Sequence, residues 1–357
     1  MHVIDASTAI KAPQLDGAAK ANPPPTKIKT WPGGIINSAT VLENTPTRSH
    51  APMLLIQLLT IVINRSEMTK GLYIRMNEAH TPFYIHFVLT SLIISTVYWA
   101  FGLCFMIADL TERPKWLMQY KVQPWKRIGP KEYTKICLIV LRNQVLVNIP
   151  LSFIVGKWIA PWRGMRTDLP LPGVLETMGT WWFSLMCTEI GFFYVHKLFH
   201  TPNFYTRFHK KHHEYTAPVA LASTYCTLVE HLFSNIMPIL LGLIILGSHW
   251  SLIIMYFCDL SIGTLSTHSG YNIPYWHRSL THDYHHFSFN ENFGPVGILD
   301  AIYGTSKNFR RVMDEALARN GGDYTKASRE VANSIAQWEA EREAQEQATS
   351  QEPTVVN

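Results

Sequence analysis

Apolar positions in this chain fall in long runs, not in alternation, and the lengths of those runs set the first expectations. Phe83 to Ile107 is 25 residues without a formal charge. At about 1.5 Å of rise per residue, such a helix exceeds the roughly 30 Å hydrocarbon thickness of a bilayer, so a membrane span is predicted. The run from Pro52 to Ile63 is too short to cross and reads as an interfacial or re-entrant helix. Ile136 to Gly156 and Val174 to Val195 are further candidate spans, the first interrupted by Arg142, Asn143, Gln144, Asn148 and Pro150 and the second carrying Glu176 and Glu189. Polar groups at that depth usually face protein or a site. Leu228 to Leu265 is too long for one crossing, and Gly247-Ser248-His249 divides it into a helical hairpin. The expected fold is all-α, a polytopic integral membrane helical bundle.

Outside these runs the chain is polar. Residues 1–50 contain Pro23, Pro24 and Pro25 and no apolar run after a basic start, which predicts a disordered or surface arm. Residues 51–173 form an N-terminal membrane region, 174–310 hold the candidate chemistry, and 311–357 form a polar tail ending in an acidic, Gln-rich stretch from Gln337 that reads as a solvated helix. No internal repeat is visible. The loop Ala108 to Lys135 has seven Lys or Arg against three acidic residues, which places it in the cytosol. Crossing parity then puts the polar segments after Val195 on the same side, although Lys157, Arg163 and Arg166 run against the charge rule in the opposite loop.

Composition sharpens this picture. With 47% hydrophobic and only 16% charged residues, the chain is too apolar for an ordinary soluble enzyme. A net charge of +5 without an aromatic-interleaved basic stripe argues against a nucleic-acid partner. The five cysteines stand singly in apolar stretches, as buried reduced thiols do.

Eight of the sixteen histidines lie in three five-residue windows: His196 and His200 in HKLFH, His209, His212 and His213 in HKKHH, and His282, His285 and His286 in HDYHH. On a helix, spacings of three and four share a face, so each window can aim two or three imidazoles at one point. Neutral imidazole binds iron, zinc, copper or nickel, and eight such ligands exceed one tetrahedral zinc and imply two ions. Taken singly, the windows have ordinary explanations: an interfacial pair, a basic patch on headgroups, a surface loop. Three of them on one predicted membrane face favour metal. A structural zinc cluster or a bis-histidine haem explains less, because structural zinc sites usually contain cysteine and haem takes two axial ligands.

These windows, with His268-Ser269-Gly270-Tyr271, Phe289-x-x-Asn292-Phe293-Gly294 and Asp300-x-x-x-Gly304-Thr305, resemble the membrane-bound fatty acid hydroxylase and sterol desaturase superfamily from about Glu176 to Phe309. The H-S-G-Y element and the Thr216-Ala217-Pro218 segment look closest to C-4 methylsterol oxidases and related fatty-acid-hydroxylase-domain proteins. The resemblance implies a di-iron monooxygenase of the endoplasmic reticulum, with its histidine-rich metal-binding cap in the cytosol. Dioxygen is the implied cosubstrate, and the substrate a hydrophobic lipid, a sterol or fatty-acyl chain. Electrons would come from NAD(P)H through cytochrome b5 or a reductase, since no flavin or nicotinamide fingerprint is present. It makes His268 a ninth ligand, places Asn272 where some relatives have a further histidine, and puts Glu189 where a carboxylate orients a ligand. Lys197, Arg207, Lys210 and Lys211 form the expected donor-docking face, helped by Lys115, Lys121, Lys126 and Arg127. His231, His249 and His277 lack window spacing and read as structural. Tyr225-Cys226-Thr227 departs from the family's frequent Ala-His-Pro. The alternatives are a hydroxylase or desaturase of a specialised terpenoid or polyketide on the same scaffold, and a non-enzymatic metal-binding membrane protein.

Overall fold

The computed structural model describes residues 51–351, so the expectation for the N-terminal arm lies outside the described residues. Four helices are long and apolar enough to cross a bilayer: Pro82–Thr111 (α3), Pro130–Arg163 (α4), Leu228–Leu246 (α6) and Trp250–His268 (α7). The last two are the hairpin, with the turn at the predicted glycine, whose φ is +60°. Helix α5, Val174–Phe199, has the length but is less apolar. Its buried face carries Thr177, Thr180, Ser184, Thr188 and Glu189, while Leu175, Trp182, Phe183, Ile190 and Leu198 on its other side point outward. Large apolar side chains such as Leu92, Leu138, Leu146 and Trp158 point outward. The architecture is the expected all-α polytopic membrane bundle.

Helix α1, Ala51–Asn64, buries Met53, Gln57, Thr60 and Asn64 and exposes Leu54, Leu55, Leu58 and Leu59. Polar residues inside and apolar residues outside is the inverse of a water-facing helix, and it favours the re-entrant reading over one lying flat on the surface. Asn64 Nδ2 donates to Ser251 Oγ of α7 at 3.3 Å. A second short helix, Glu67–Ala79 (α2), leads into α3.

One end of the bundle gathers the polar chemistry. At the close of α3, Asp109 accepts Lys121 Nζ at 2.6 Å, Tyr133 Oη of α4 at 2.6 Å and Tyr271 Oη, just past α7, at 2.7 Å. Val122 N–H donates to Gly270 O at 2.8 Å, so the basic loop is stitched to the end of α7. At the opposite end Arg163 Nε donates to Ile244 O at 2.9 Å.

The polar C-terminal segment behaves differently from a solvated tail. After Leu280–Ser288 (α8) and the short Ile298–Tyr303 (α9), Lys307–Arg319 (α10) and Tyr324–Gln351 (α11) fold back over the polar end. Ala327, Val331, Ile335 and Trp338 of α11 are buried with Leu280, Tyr284 and Phe287 of α8. The composition reading missed this because α11 has only one narrow apolar stripe, at spacings of three and four, on an otherwise charged helix. All five cysteines are free, but only Cys226 is buried and Cys104 is exposed on the outer face.

Candidate metal centre

The nine histidines expected to act together converge. Ring nitrogens of His196, His200, His209, His213 and His285 lie within 4.8 Å of one another, and so do those of His212, His268, His282 and His286. The two clusters adjoin, with the His213 and His286 rings 4.5 Å apart.

The sequence windows do not map one to a cluster. HKLFH, on the last turn of α5, supplies two members of the five-histidine cluster. HKKHH is not a regular helix: a π-helical turn, Tyr205–His209, hands over to a 3-10 turn, His212–Glu214. The change of pitch sends His209 and His213 to the first cluster and His212 to the second. On α8, His282 and His286 share a face in the second cluster, and His285 reaches back to the first.

Several rings are fixed from behind. Nδ1 of His196 donates to Phe293 O at 2.8 Å, that of His268 to Thr264 O at 2.8 Å, that of His285 to Glu291 O at 2.7 Å, and that of His209 to Glu230 Oε1 at 2.8 Å. Once Nδ1 carries the proton, Nε2 presents a lone pair to the cluster. His209 Nε2 lies 2.9 Å from His200 Nε2 and 3.0 Å from His213 Nε2. In the second cluster, His282 and His286 Nε2 are 3.0 Å apart and His212 and His268 Nε2 3.4 Å apart. With metal–nitrogen bonds of about 2.1 Å, two nitrogens on one ion are about 3.0 Å apart at a right angle and about 3.4 Å at the tetrahedral angle. The donor sets therefore fit two metal ions. Burial, reinforced by neighbouring imidazoles, holds His200, His209, His212, His213, His282, His285 and His286 well below the usual histidine range. Neutral rings are what a metal needs.

The expected carboxylate acts elsewhere. Glu189 accepts backbone N–H groups of Val296 and Leu299, each at 2.9 Å, and does not orient a histidine directly. With Asp300, which accepts Phe293 N at 2.9 Å and Gly294 N at 2.6 Å, it shapes the loop that offers Phe293 O to His196. The carboxylate that does hold a ring is Glu230, which sequence reasoning passed over. Its signal was available: a lone acid in the first turn of an apolar span, three residues after Thr227. Asn272 is tied to the basic loop, its N–H donating to Tyr120 O at 2.9 Å. His231 bonds Asn148 Oδ1 at 2.8 Å, His249 caps α7, and His277 packs beside Gly263, so none of the three joins a cluster.

The basic face is smaller than its charge count. Lys121 is paired with Asp109, Lys126 with Glu339 at 2.8 Å, and Arg127 with Glu112. Lys197 lies against the Phe193 and Tyr303 rings, and Lys211 against Tyr225. Arg207, Lys210 and Lys115 are exposed.

Beneath the clusters runs a cavity of about 710 Å³ between the spans, lined by Ile94, Trp99, Val145, Phe257 and Leu260 and reaching His268 and His282.

Fold and site together define a polytopic membrane protein with a paired histidine centre of metal-ligand geometry. The chain belongs to the fatty acid hydroxylase family, whose model matches residues 181–305. It is 41% identical over 286 residues to fatty acid hydroxylase ahd1 of Mycosarcoma maydis, an alignment covering 80% of this chain and 74% of that one. It is also 34% identical to the human fatty acid hydroxylase domain-containing protein 2, over 60% of this chain and 65% of the relative. Methylsterol monooxygenase 1-2 of Arabidopsis thaliana is 30% identical, over 60% of this chain and 75% of its own length. No solved structure matches significantly. Membership places the chain among the oxidoreductases.

Proposed function

We propose that the chain is a membrane non-haem di-iron monooxygenase that hydroxylates an unactivated C–H bond of a hydrophobic lipid, a sterol or fatty-acyl substrate. The observation that carries this is the convergence of nine imidazoles, and no thiolate, into two adjoining sets at the end of an apolar cavity. An all-imidazole set accepts iron as it accepts zinc, copper or nickel, and the relatives' names, a fatty acid hydroxylase and a methylsterol monooxygenase, favour a redox metal acting on lipids. The overall reaction consumes one dioxygen, two electrons and two protons, and yields the alcohol and one water. Bound iron would supply the redox chemistry.

The chain's own residues supply position and dryness. Carbonyls of Phe293, Thr264 and Glu291, with the Glu230 carboxylate, fix Nδ1 protons so that Nε2 atoms face inward. Apolar walls around Phe257 and Leu260 exclude water and hold an aliphatic segment beside His268 and His282. Electrons would reach the centre from NAD(P)H through cytochrome b5 or a reductase docking near Arg207 and Lys210. Endoplasmic reticulum residence, with the clusters in the cytosol, agrees with the basic loop lying at the histidine end. The departure at Tyr225-Cys226-Thr227 keeps a specialised terpenoid or polyketide substrate as the second reading.

The test is expression in a host lacking the enzyme under ¹⁸O₂, followed by lipid mass spectrometry. One ¹⁸O atom should appear in a lipid product made by the native chain and be absent with His285→Ala. No labelled product in any lipid or terpenoid fraction, from protein shown to carry metal, would overturn the reading.

A further inference from the structure

The two clusters differ in what stands behind them and in what stands before them. Behind the five-histidine cluster is Glu230, whose Oε1 accepts the Nδ1 proton of His209 at 2.8 Å with both side chains buried. Glu230 is itself fixed in the first turn of α6, where Thr227 Oγ1 accepts its backbone N–H at 3.2 Å. The other bonded Nδ1 atoms, on His196, His268 and His285, donate to backbone carbonyls. A carboxylate is the stronger acceptor, so it leaves His209 Nε2 a better donor to metal than a carbonyl would. Before the clusters lies the cavity, and of the nine histidines it touches His268 and His282, both in the four-histidine set. Five imidazoles leave one position on a six-coordinate ion, whereas four leave two.

We propose that Glu230 is a positioning residue that, through His209, makes the five-histidine cluster the tightly held metal position and leaves the four-histidine cluster as the exchangeable one that meets the substrate. This rests on the di-metal reading above. In the metal-bound protein, Glu230 fixes the His209 ring against its backbone and sets its basicity. An ion held by the four-histidine set would lack such support, and two of the residues that would hold it, His268 and His282, line the cavity.

The test follows release of iron from ferrous-loaded full-length protein in detergent into excess coloured ferrous chelator. The native protein should release its two ions in a fast and a slow phase. Glu230→Gln should accelerate the slow phase by about 10- to 100-fold, the usual effect of losing a partner behind a ligand, and leave the fast phase unchanged. On a His282→Ala background, which lacks the fast ion, the same acceleration should appear in the single remaining phase. An unchanged slow phase, or equal acceleration of both, would overturn the assignment. If Glu230→Gln is not monodisperse, Glu230→Asp is measured in the same way, and an unchanged slow phase there overturns it equally. Native protein that never binds a second ion would sink the di-metal reading itself, a separate failure.

Discussion

At His209 a single proton decides the chemistry: with Nδ1–H committed to Glu230, Nε2 has only a lone pair to turn towards His200 and His213. The same logic holds at His196, His268 and His285, so replacing any cluster histidine by Ala should abolish turnover while the protein stays inserted, because lipid and helix packing hold the spans. Activity assays paired with membrane extraction check this, and full activity in two such variants would contradict it. His249→Ala, which removes the cap of α7, a bond to Asp168 O at 2.9 Å and a buried ring beside Tyr73 but no cluster ligand, should keep most activity in the folded protein while costing roughly 2–3 kcal/mol of stability. Burial also sets a pH dependence. Folded-state pKa values of the buried cluster histidines outside the spans are depressed below the ordinary value of about 6.5. Above that value neither state binds the proton, and below it the unfolded chain binds protons that the folded one refuses. Metal-free protein should therefore lose stability progressively as pH falls below about 6.5, seen as a falling Tm between pH 7.5 and 5.5. A Tm that rises over that interval would contradict the buried-neutral assignment.

At the scale of elements, the spans and the hairpin were legible because run length and a glycine break are direct physical constraints. The division of the boxes was not. Equal spacing in HKKHH and HDYHH suggested one aim point per box, but the π-to-3-10 change at Tyr205–Glu214, and on α8 the offset of about 100° between His285 and His286, split each between clusters. Pitch changes of that kind leave no periodic signature. Glu189 was legible as a buried acid but not by its partner, since the loop 293–300 returns from over a hundred residues away. That loop yields a sharp expectation. A Cβ on Gly294 would lie 2.8 Å from Glu189 Oε1 and 3.1 Å from Asp300 Oδ2. Gly294→Ala should cost roughly 1–3 kcal/mol by overpacking and reduce turnover at least tenfold by moving Phe293 O off His196. Thermal stability and turnover together check it, and an unperturbed enzyme would show that the loop does not position the ring.

At the scale of the whole molecule, the centre is clamped between membrane helices and a C-terminal strap. Trp338 stacks on Phe287 at 5.7 Å, one residue from His286, and Glu339 pairs with Lys126 of the basic loop. Trp338→Ala should destabilise the protein by roughly 3 kcal/mol and speed loss of metal, measurable by thermal unfolding and metal content after dialysis. Without a nucleotide module in the sequence, turnover with NAD(P)H alone should be absent until a reductase, with or without cytochrome b5, is added. Lys210→Glu should raise the carrier concentration required, as should added salt. The most direct measurement is iron per chain in an active preparation, titrated against turnover. The expected result is activity that rises with occupancy and is complete only near two irons per chain, with neither zinc nor one iron sufficing. Full lipid hydroxylation by protein holding less than one iron per chain would contradict the paired histidine centre as the seat of the chemistry.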